Sequence, residues 1–446
     1  MLSPVRSFFG GVHPGGRKTA TDTCPIEVLP APARLTLPMS MHTGQACTPL
    51  VKPGDRVLLG QRIGEASGEE SAHVHSPVSG AVAAVEPRLH PDGTQVLSVI
   101  IDNDFKDTPS GEIRPCADPD RLTAPEFTQL VRNAGIVGLG GSARPTHLKL
   151  ASSLGKTDTV ILNGAECEPY ITSDHRLLLE RPEEVLGGAR LLREFFGVPS
   201  VIIGIGADKH DAIELLRSRL PIRHSEADVI TLHTRYPQGG ERQLVQTVTG
   251  RQVPPGQSPS SVGCAVFNIS TAAAIYRAVV SGFPLIRRIV TVSGPGMNTP
   301  KVLDVALGTP FSALAEAAGG FAGTPGKVLM GGPMMGLVQS DLSVPVVKGT
   351  NALLALTEPR ARMPSEPVCI RCGKCVAVCP MHLAPLYLYA YEQKDNLAEL
   401  QKLNIADCIE CGCCSYICPG RLPLVPSIRA GKQKLAEAST AGREGN

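Results

Sequence analysis

Two stretches of this 446-residue chain could do chemistry on residue type and spacing alone: Cys369-Ile-Arg-Cys372-Gly-Lys-Cys375-Val-Ala-Val-Cys379-Pro380 and Cys408-Ile-Glu-Cys411-Gly-Cys413-Cys414-Ser-Tyr-Ile-Cys418-Pro419. Each is a C-x2-C-x2-C-x3-C-P run. Three closely spaced thiolates wrap three corners of one iron–sulfur cubane, and the fourth, turned away by the following proline, reaches a neighbouring cluster. The ligand sets are therefore expected to be crossed. One cluster takes Cys369, Cys372, Cys375 and Cys418; the other takes Cys408, Cys411, Cys414 and Cys379. Zinc is the competing reading, but it prefers two separated pairs of ligands, and neither run has that form. Cys413 departs from the repeat and reads as a spectator beside the second cluster. Such clusters pass electrons singly, so a chain drawing on a two-electron donor needs a converter, for which flavin is the usual choice.

A second candidate is the loop Gly135-Ile-Val-Gly138-Leu-Gly140-Gly141-Ser-Ala143-Arg-Pro-Thr146-His-Leu-Lys149. It contains G-x-G-x-x-A, the dinucleotide fingerprint, yet a helical stretch precedes it where that fingerprint requires a strand. What remains is physical. Glycines permit close backbone approach and amide donation to an anion, and Lys149 adds positive charge. A solvated surface turn is the competing reading. Further polar groups follow predicted strands or open helices: Asn163-Gly-Ala-Glu166-Cys-Glu168-Pro-Tyr170, Gly239-Gly240-Glu241, and Asn268-Ile-Ser-Thr271. The remaining cysteines (Cys24, Cys47, Cys116, Cys167 and Cys264) are scattered and read as isolated thiols.

The elements that must position these groups fall into a multidomain α/β plus β architecture. Residues 1–118 carry short β-type runs with turn signals, which predict an N-terminal β sandwich of the barrel-sandwich hybrid kind. Its turn Val78-Ser79-Gly80 sits where biotinyl and lipoyl carrier domains present a lysine. With no lysine here, a packing or docking module is expected. Residues 119–282 alternate strands (Thr159 to Leu162, Val201 to Ile205, Val229 to His233) with helical stretches, predicting a mainly parallel sheet covered by helices. Ligands of such sheets bind at the carboxyl ends of the strands. Residues 283–357 form a small α+β unit, residues 358–430 a helical dicluster module with Leu383 to Leu403 as helix, and residues 431–446 a flexible tail.

Composition narrows the function class. Net charge is +2, Trp is absent and aromatics are 4%, so neither a basic groove nor a base-stacking platform for nucleic acid is expected. Apolar runs such as Val201-Ile-Ile-Gly-Ile-Gly206 stop well short of a bilayer's span. The opening MLSPVRSFFGGVHPGG lacks the apolar core of a secretory signal, so a cytoplasmic, reducing setting is expected.

The glycine loop, the N-x-x-E-x-E-P strand end and the later Gly-Glu together resemble the flavoprotein subunit of respiratory complex I. That resemblance implies FMN, with Gly138, Gly140, Gly141 and Lys149 at its phosphate and ribityl region. It places Asn163, Glu166, Gly240, Glu241, Asn268 and Thr271 around the rest of the flavin, and Glu168 where the ribose of NADH approaches. Arg144 and Arg242 depart from that family's pattern, which implies an altered nicotinamide site. Over nearly its whole length the chain resembles the C subunits of Rnf complexes, the ion-translocating ferredoxin:NAD oxidoreductases of bacterial membranes. The resemblance rests on Phe8-Phe9-Gly-Gly-Val-His13-Pro-Gly-Gly-Arg-Lys18 and Val51-Lys-Pro-Gly-Asp-Arg-Val-Leu-Leu-Gly-Gln61, followed by the FMN-type domain, a β-grasp soluble-ligand-binding (SLBB) unit and the dicluster module. It implies a peripheral oxidoreductase subunit on the cytoplasmic face of the inner membrane. The cofactors would be FMN and two 4Fe-4S clusters, the substrate NADH, and the partners integral membrane and ferredoxin-like subunits. Cobalamin reductases of bacterial microcompartments are similar in the later domains but lack this opening, and a soluble corrinoid reductase is the alternative.

Overall fold

The computed structural model of the chain describes residues 7–220, 226–358 and 367–444. In Arg34–Pro38 the alternation of polar and apolar residues turns Leu35 and Leu37 to one face. They lie opposite Ile101 and Val99 of the antiparallel strand Gln95–Asn103. With Gly80–Leu89 and Arg56–Val57 these strands form a four-stranded sheet, and Thr48–Pro49, Arg62–Glu65 and Val74–His75 form a smaller one. Leu35, Leu37, Val82, Val99 and Ile101 meet Ile63 and Val74 between them. The Val78-Ser79-Gly80 turn is buried in this packing: Ser76 Oγ donates to Val78 O at 2.6 Å and Ser79 Oγ to Asp104 Oδ1 at 2.6 Å.

The range 1–118 is not one packing unit. Residues Ile26–Val28 leave the sandwich and pair in parallel with Lys301–Ala306, at the edge of a six-stranded sheet otherwise built by the SLBB region. Residues 8–18 run further still, along the later domains, and contribute nothing to the sandwich core.

The second layer system is a four-stranded parallel sheet in the order Ala227–Leu232, Val201–Gly206, Thr159–Gly164, Cys264–Asn268. The chain builds outward from Thr159–Gly164 on one side and then crosses to place Cys264–Asn268 on the other. The order therefore reverses between these two strands, the kind of switch point at which open α/β sheets bind ligands. Asn163 and Asn268 are register partners at this point. Helices Pro182–Phe196 and Ile269–Ser281 cover one face. They approach closely because Gly188 has no side chain: a Cβ there would lie 2.2 Å from Ala272 O.

The dicluster module is helical, with Leu383, Leu388, Leu400, Ile405 and Ile428 in its core. Between the cysteine runs the single helix expected from sequence is two, Pro385–Glu392 and Leu397–Lys402. Asp395 adopts a positive φ and Asn396 caps the second helix, its side chain accepting from Glu399 N. The expected tail is also different, since Leu424–Glu444 is one continuous helix. Pro426 falls in its first turn, where a missing N–H is tolerated. Lys432 and Arg429 pair with Glu410, and Lys434 with Glu392, tying the helix down. Among the described residues no helix is long and apolar enough to cross a membrane.

Lys348 locks three units together. It is fully buried, and its Nζ donates to His73 O of the sandwich and, at 2.7 Å, to Gly135 O of the parallel-sheet domain. Burial pushes its pKa down to about 8, against a nearby Cys47 that acts the other way. Because the folded value lies below the unfolded one, the cost of charging Lys348 is full below pH 8 and relieved as pH rises from about 8 to 10.5. Wild type should therefore gain stability over Lys348→Met across that window, by up to roughly 3 kcal/mol. Thermal melts of both proteins at pH 7.5 and pH 10 check this; an unchanged difference in Tm would contradict it.

Candidate functional site

The glycine loop stands between helix Ala124–Asn133 and helix Thr146–Ser153, closed on itself by Gly138 N donating to Arg144 O at 2.8 Å and Ala143 N to Gly138 O at 2.9 Å. Its middle residue, Leu139, is held from both sides. Leu139 N donates to Thr271 Oγ1 at 2.9 Å, and the buried Arg288 donates to Leu139 O at 2.8 Å. Thr271 is thus buried behind the loop, acting on its backbone.

In front of the loop lies a cleft of about 550 Å³. Of the residues named from sequence, Gly140, Asn163, Glu166, Glu168, Gly240, Glu241 and Asn268 line it; Gly138, Gly141, Lys149 and Thr271 stand behind or beside it. Asn163 braces the opposite wall, its Nδ2 donating to Gly239 O at 2.8 Å. Asn268 caps its own helix, accepting from Ser270 N at 2.9 Å, and donates to Asp174 Oδ2 at 2.6 Å. Lys149 ion-pairs with Glu241 and donates to Val266 O at 2.8 Å. Arg144 and Arg242 both line the cleft, and Arg242 also holds the loop at Val253, Pro254 and Gln257 by their carbonyls.

The two glutamates differ. Glu166 accepts from Asp174 N at 2.7 Å and lies 3.7 Å from Lys18 Nζ; burial pushes its pKa up while Lys18 and Lys209 oppose. Glu168 reaches the SLBB region, accepting from Met334 N at 3.1 Å and Met335 N at 3.2 Å. Burial pushes its pKa up to about 7, with those two amides pulling the other way. Asp174, Lys18, Tyr236 and Gln243 belong to the site without being among the residues named from sequence. Lys18 at least closes the opening motif; the others carry no local signal. Gln243 lines the cleft with a buried Oε1 that has no partner among the described residues.

At its far end the cleft meets the dicluster module through Ile409 and Cys411. Tyr236 Oη donates to Cys411 O at 2.6 Å across this junction. Cys379, Cys411 and Cys414 are buried. Burial raises the Cys414 thiol to about 12, and the neighbouring sulfurs that add to this are Cys411, Cys408 and Cys379. A separate hollow is lined by Cys369, Cys372, Cys375 and Cys418. Cys418 therefore lies with the first three cysteines of the other run, and Cys379 packs with Cys408 in the core of the module. Among the described residues no three His, Cys, Asp or Glu side chains converge as ligands of a single ion do.

Four family models match this chain: the RnfC barrel sandwich hybrid domain over residues 6–106, the Nuo51 FMN-binding domain over 131–277, the SLBB domain over 289–338 and a 4Fe-4S dicluster domain over 364–419. The C subunit of the Na(+)-translocating ferredoxin:NAD(+) oxidoreductase complex of Acetobacterium woodii is 45% identical over 96% of this chain and 97% of its own. The chain belongs to the family of Rnf C subunits. A second member, the C subunit of the proton-translocating ferredoxin:NAD(+) oxidoreductase complex of Clostridium ljungdahlii, is 39% identical over 90% of this chain and 88% of its own. A solved NAD+-reducing [NiFe]-hydrogenase in the air-oxidized state aligns over 74% of this chain and 65% of its own, with TM-score 0.50 and 19% identity, a likeness of fold.

This member of the Rnf family has a donor set that suits the cofactors of its domains. The glycine-walled cleft with the unpartnered Gln243 oxygen suits a flavin, and eight thiols in two groups of four suit two cubanes. If the sets are crossed as expected from the spacing, Cys379→Ser should diminish the signal of the cluster assigned to Cys408, Cys411 and Cys414 in electron paramagnetic resonance of the reduced protein. Loss confined to the other cluster would refute the crossed arrangement.

Proposed function

We propose that this chain is the electron-input subunit of an ion-translocating ferredoxin:NAD oxidoreductase, exchanging electrons between NADH and its own redox groups. The observation that carries the reading is the continuity of the cleft: the glycine loop and strand ends at one end, Cys411 at the other. FMN bound there supplies the conversion between a transferred hydride and single electrons. The protein's part is position and field. Gly140 and Gly240 line the cleft without side chains to block close approach, and Lys149, paired with Glu241, supplies a cation beside the loop for a phosphate.

Glu168 is the residue we assign to the ribose of the nicotinamide nucleotide. The Met334 and Met335 amides hold its carboxylate at the cleft wall while leaving lone pairs for a ligand's hydroxyls. The homologues' names supply a multi-subunit complex, and a peripheral place on it fits a chain with no membrane-crossing helix among its described residues. Integral membrane and ferredoxin-like subunits as neighbours, and the cytoplasmic face as the location, are part of the same proposal. Recovery of such subunits with the tagged chain from detergent-solubilised membranes tests it.

Stopped-flow reduction by NADH tests the site. Glu168→Gln should slow flavin reduction about tenfold, the loss of one charge-assisted hydrogen bond, with flavin content unchanged. Since the wild-type carboxyl titrates near 7 and its ionised form is the better acceptor, apparent NADH affinity should rise with pH through 7. The variant should lack that step. Identical kinetics and pH profiles would show that the nucleotide lies elsewhere.

A further inference from the structure

The two cysteine groups differ in their access to solvent. In the set nearest the cleft, Cys379, Cys411 and Cys414 are buried, whereas Cys369 and Cys372 of the other set are exposed. The surface around the exposed set is apolar at its centre: Val368, Ile370 and Tyr416 are 64%, 65% and 51% exposed. Single exposed apolar residues are ordinary, but Val368 and Ile370 flank Cys369 in the chain and Tyr416 lines a hollow with Cys418 of the same set, so the three gather around one group of thiols. Gly420 brings its two segments together, because a Cβ there would lie 2.0 Å from Val368 O.

Among the described residues of the cysteine-bearing segments the charge has one sign. Arg371, Lys374 and Arg421 are exposed on the cysteine-bearing segments, and neither 367–391 nor 411–436 contains an Asp or Glu. Of the described carboxylates next to these segments, Glu392 pairs with Lys434, and Glu410 with Arg429 and Lys432. An apolar centre with a basic rim over a redox group is the complement of an acidic protein that brings its own one-electron centre.

We infer that the face formed by Val368, Ile370, Tyr416, Arg371, Lys374 and Arg421 is the docking surface for an acidic electron-transfer protein, reached through the exposed cysteine set after the buried one. This rests on the proposed function for the entry of electrons and adds their order of passage and exit. One electron crosses per encounter: this chain is oxidised by one, the partner's centre is reduced by one, no bond is made or broken, and no proton moves. In the opposite direction the same face receives the electron.

The test uses the full chain carrying both clusters, reduced with dithionite and freed of excess, so that NADH and the cleft are bypassed. It is mixed with ferricyanide, a trianion, or hexaammineruthenium(III), a trication. Between ~20 mM and ~500 mM salt, reoxidation by ferricyanide should slow about fivefold or more and that by the ruthenium complex should quicken, as screening removes a positive field. Arg371→Glu/Lys374→Glu/Arg421→Glu should reverse both salt trends. Lys374→Glu alone, which leaves the segments' other residues untouched, should weaken them if the triple variant fails to assemble. As a second readout, tris(oxalato)chromate(III) should enhance the electron-spin relaxation of the Cys369, Cys372, Cys375, Cys418 cluster and spare the buried one. Equal salt response to both oxidants, or relaxation enhancement at the buried cluster, would overturn the inference. So would charge-dependent binding to phosphatidylglycerol vesicles without any preference between oxidants, which would make the face a membrane contact. A protein that shows the expected preference yet is not reduced by NADH would instead sink the electron-input reading alone.

Discussion

Tyr236 joins the flavin-type domain to the iron–sulfur module, and the cleft depends on it. Its hydroxyl donates to Cys411 O at 2.6 Å, while its backbone exchanges hydrogen bonds with Val12 at 2.8 and 3.0 Å. Gly11, next to Val12, donates to Val378 O at 2.8 Å. A few residues of N-terminal chain are therefore held between a cleft-wall loop and the turn that carries Cys379. Gly11 has to be glycine in this arrangement: its φ is +78° and a Cβ would lie 2.4 Å from Tyr236 O. Burial pushes the Tyr236 phenol pKa upward, so the group stays a neutral donor at this junction.

The same N-terminal segment sets the electrostatics beneath the cleft. Lys18 lies 3.7 Å from Glu166 and 3.5 Å from Asp208, and Lys209 lies 3.0 Å from Asp208. Buried charges are tolerated when each has opposite charge and hydrogen bonds around it, and loss of one partner leaves the rest uncompensated. Glu166 in turn accepts from the amides that open helix Ser173–Glu180, and Asp174 of that helix holds Asn268 and Ser270. A connected series of polar contacts thus runs from the N-terminal segment to the switch point of the sheet. Satisfied networks of this kind rigidify a site.

Much of the site is legible in the sequence because its chemistry is local. The cysteine spacing, the strand ends at Asn163 and Asn268, and the parallel alternation of elements all lie in short windows, where spacing and periodicity carry information. What is not legible depends on distant partners. Thr271 reads like a cleft residue but its hydroxyl oxygen accepts from the Leu139 amide, and Arg242, read as a change at the cleft it lines, also anchors the loop at Val253 to Gln257. The C-terminal helix reads as a tail because its surface residues are polar and alanine-rich; ion pairs to Glu410 and Glu392 hold it.

Sequence alone determined the spacing of the cysteines within each run and the glycine-rich loop, which follow from neighbours a few residues apart, and the family, which follows from the order of such motifs along the chain. Only the tertiary structure decided that residues 8–28 serve the later domains, that the buried cysteine set is the one touching the cleft, and that Lys348 binds three units through two carbonyls. Those outcomes turn on burial and on hydrogen bonds between residues hundreds of positions apart, and no local pattern encodes which distant group will be left to satisfy a buried donor.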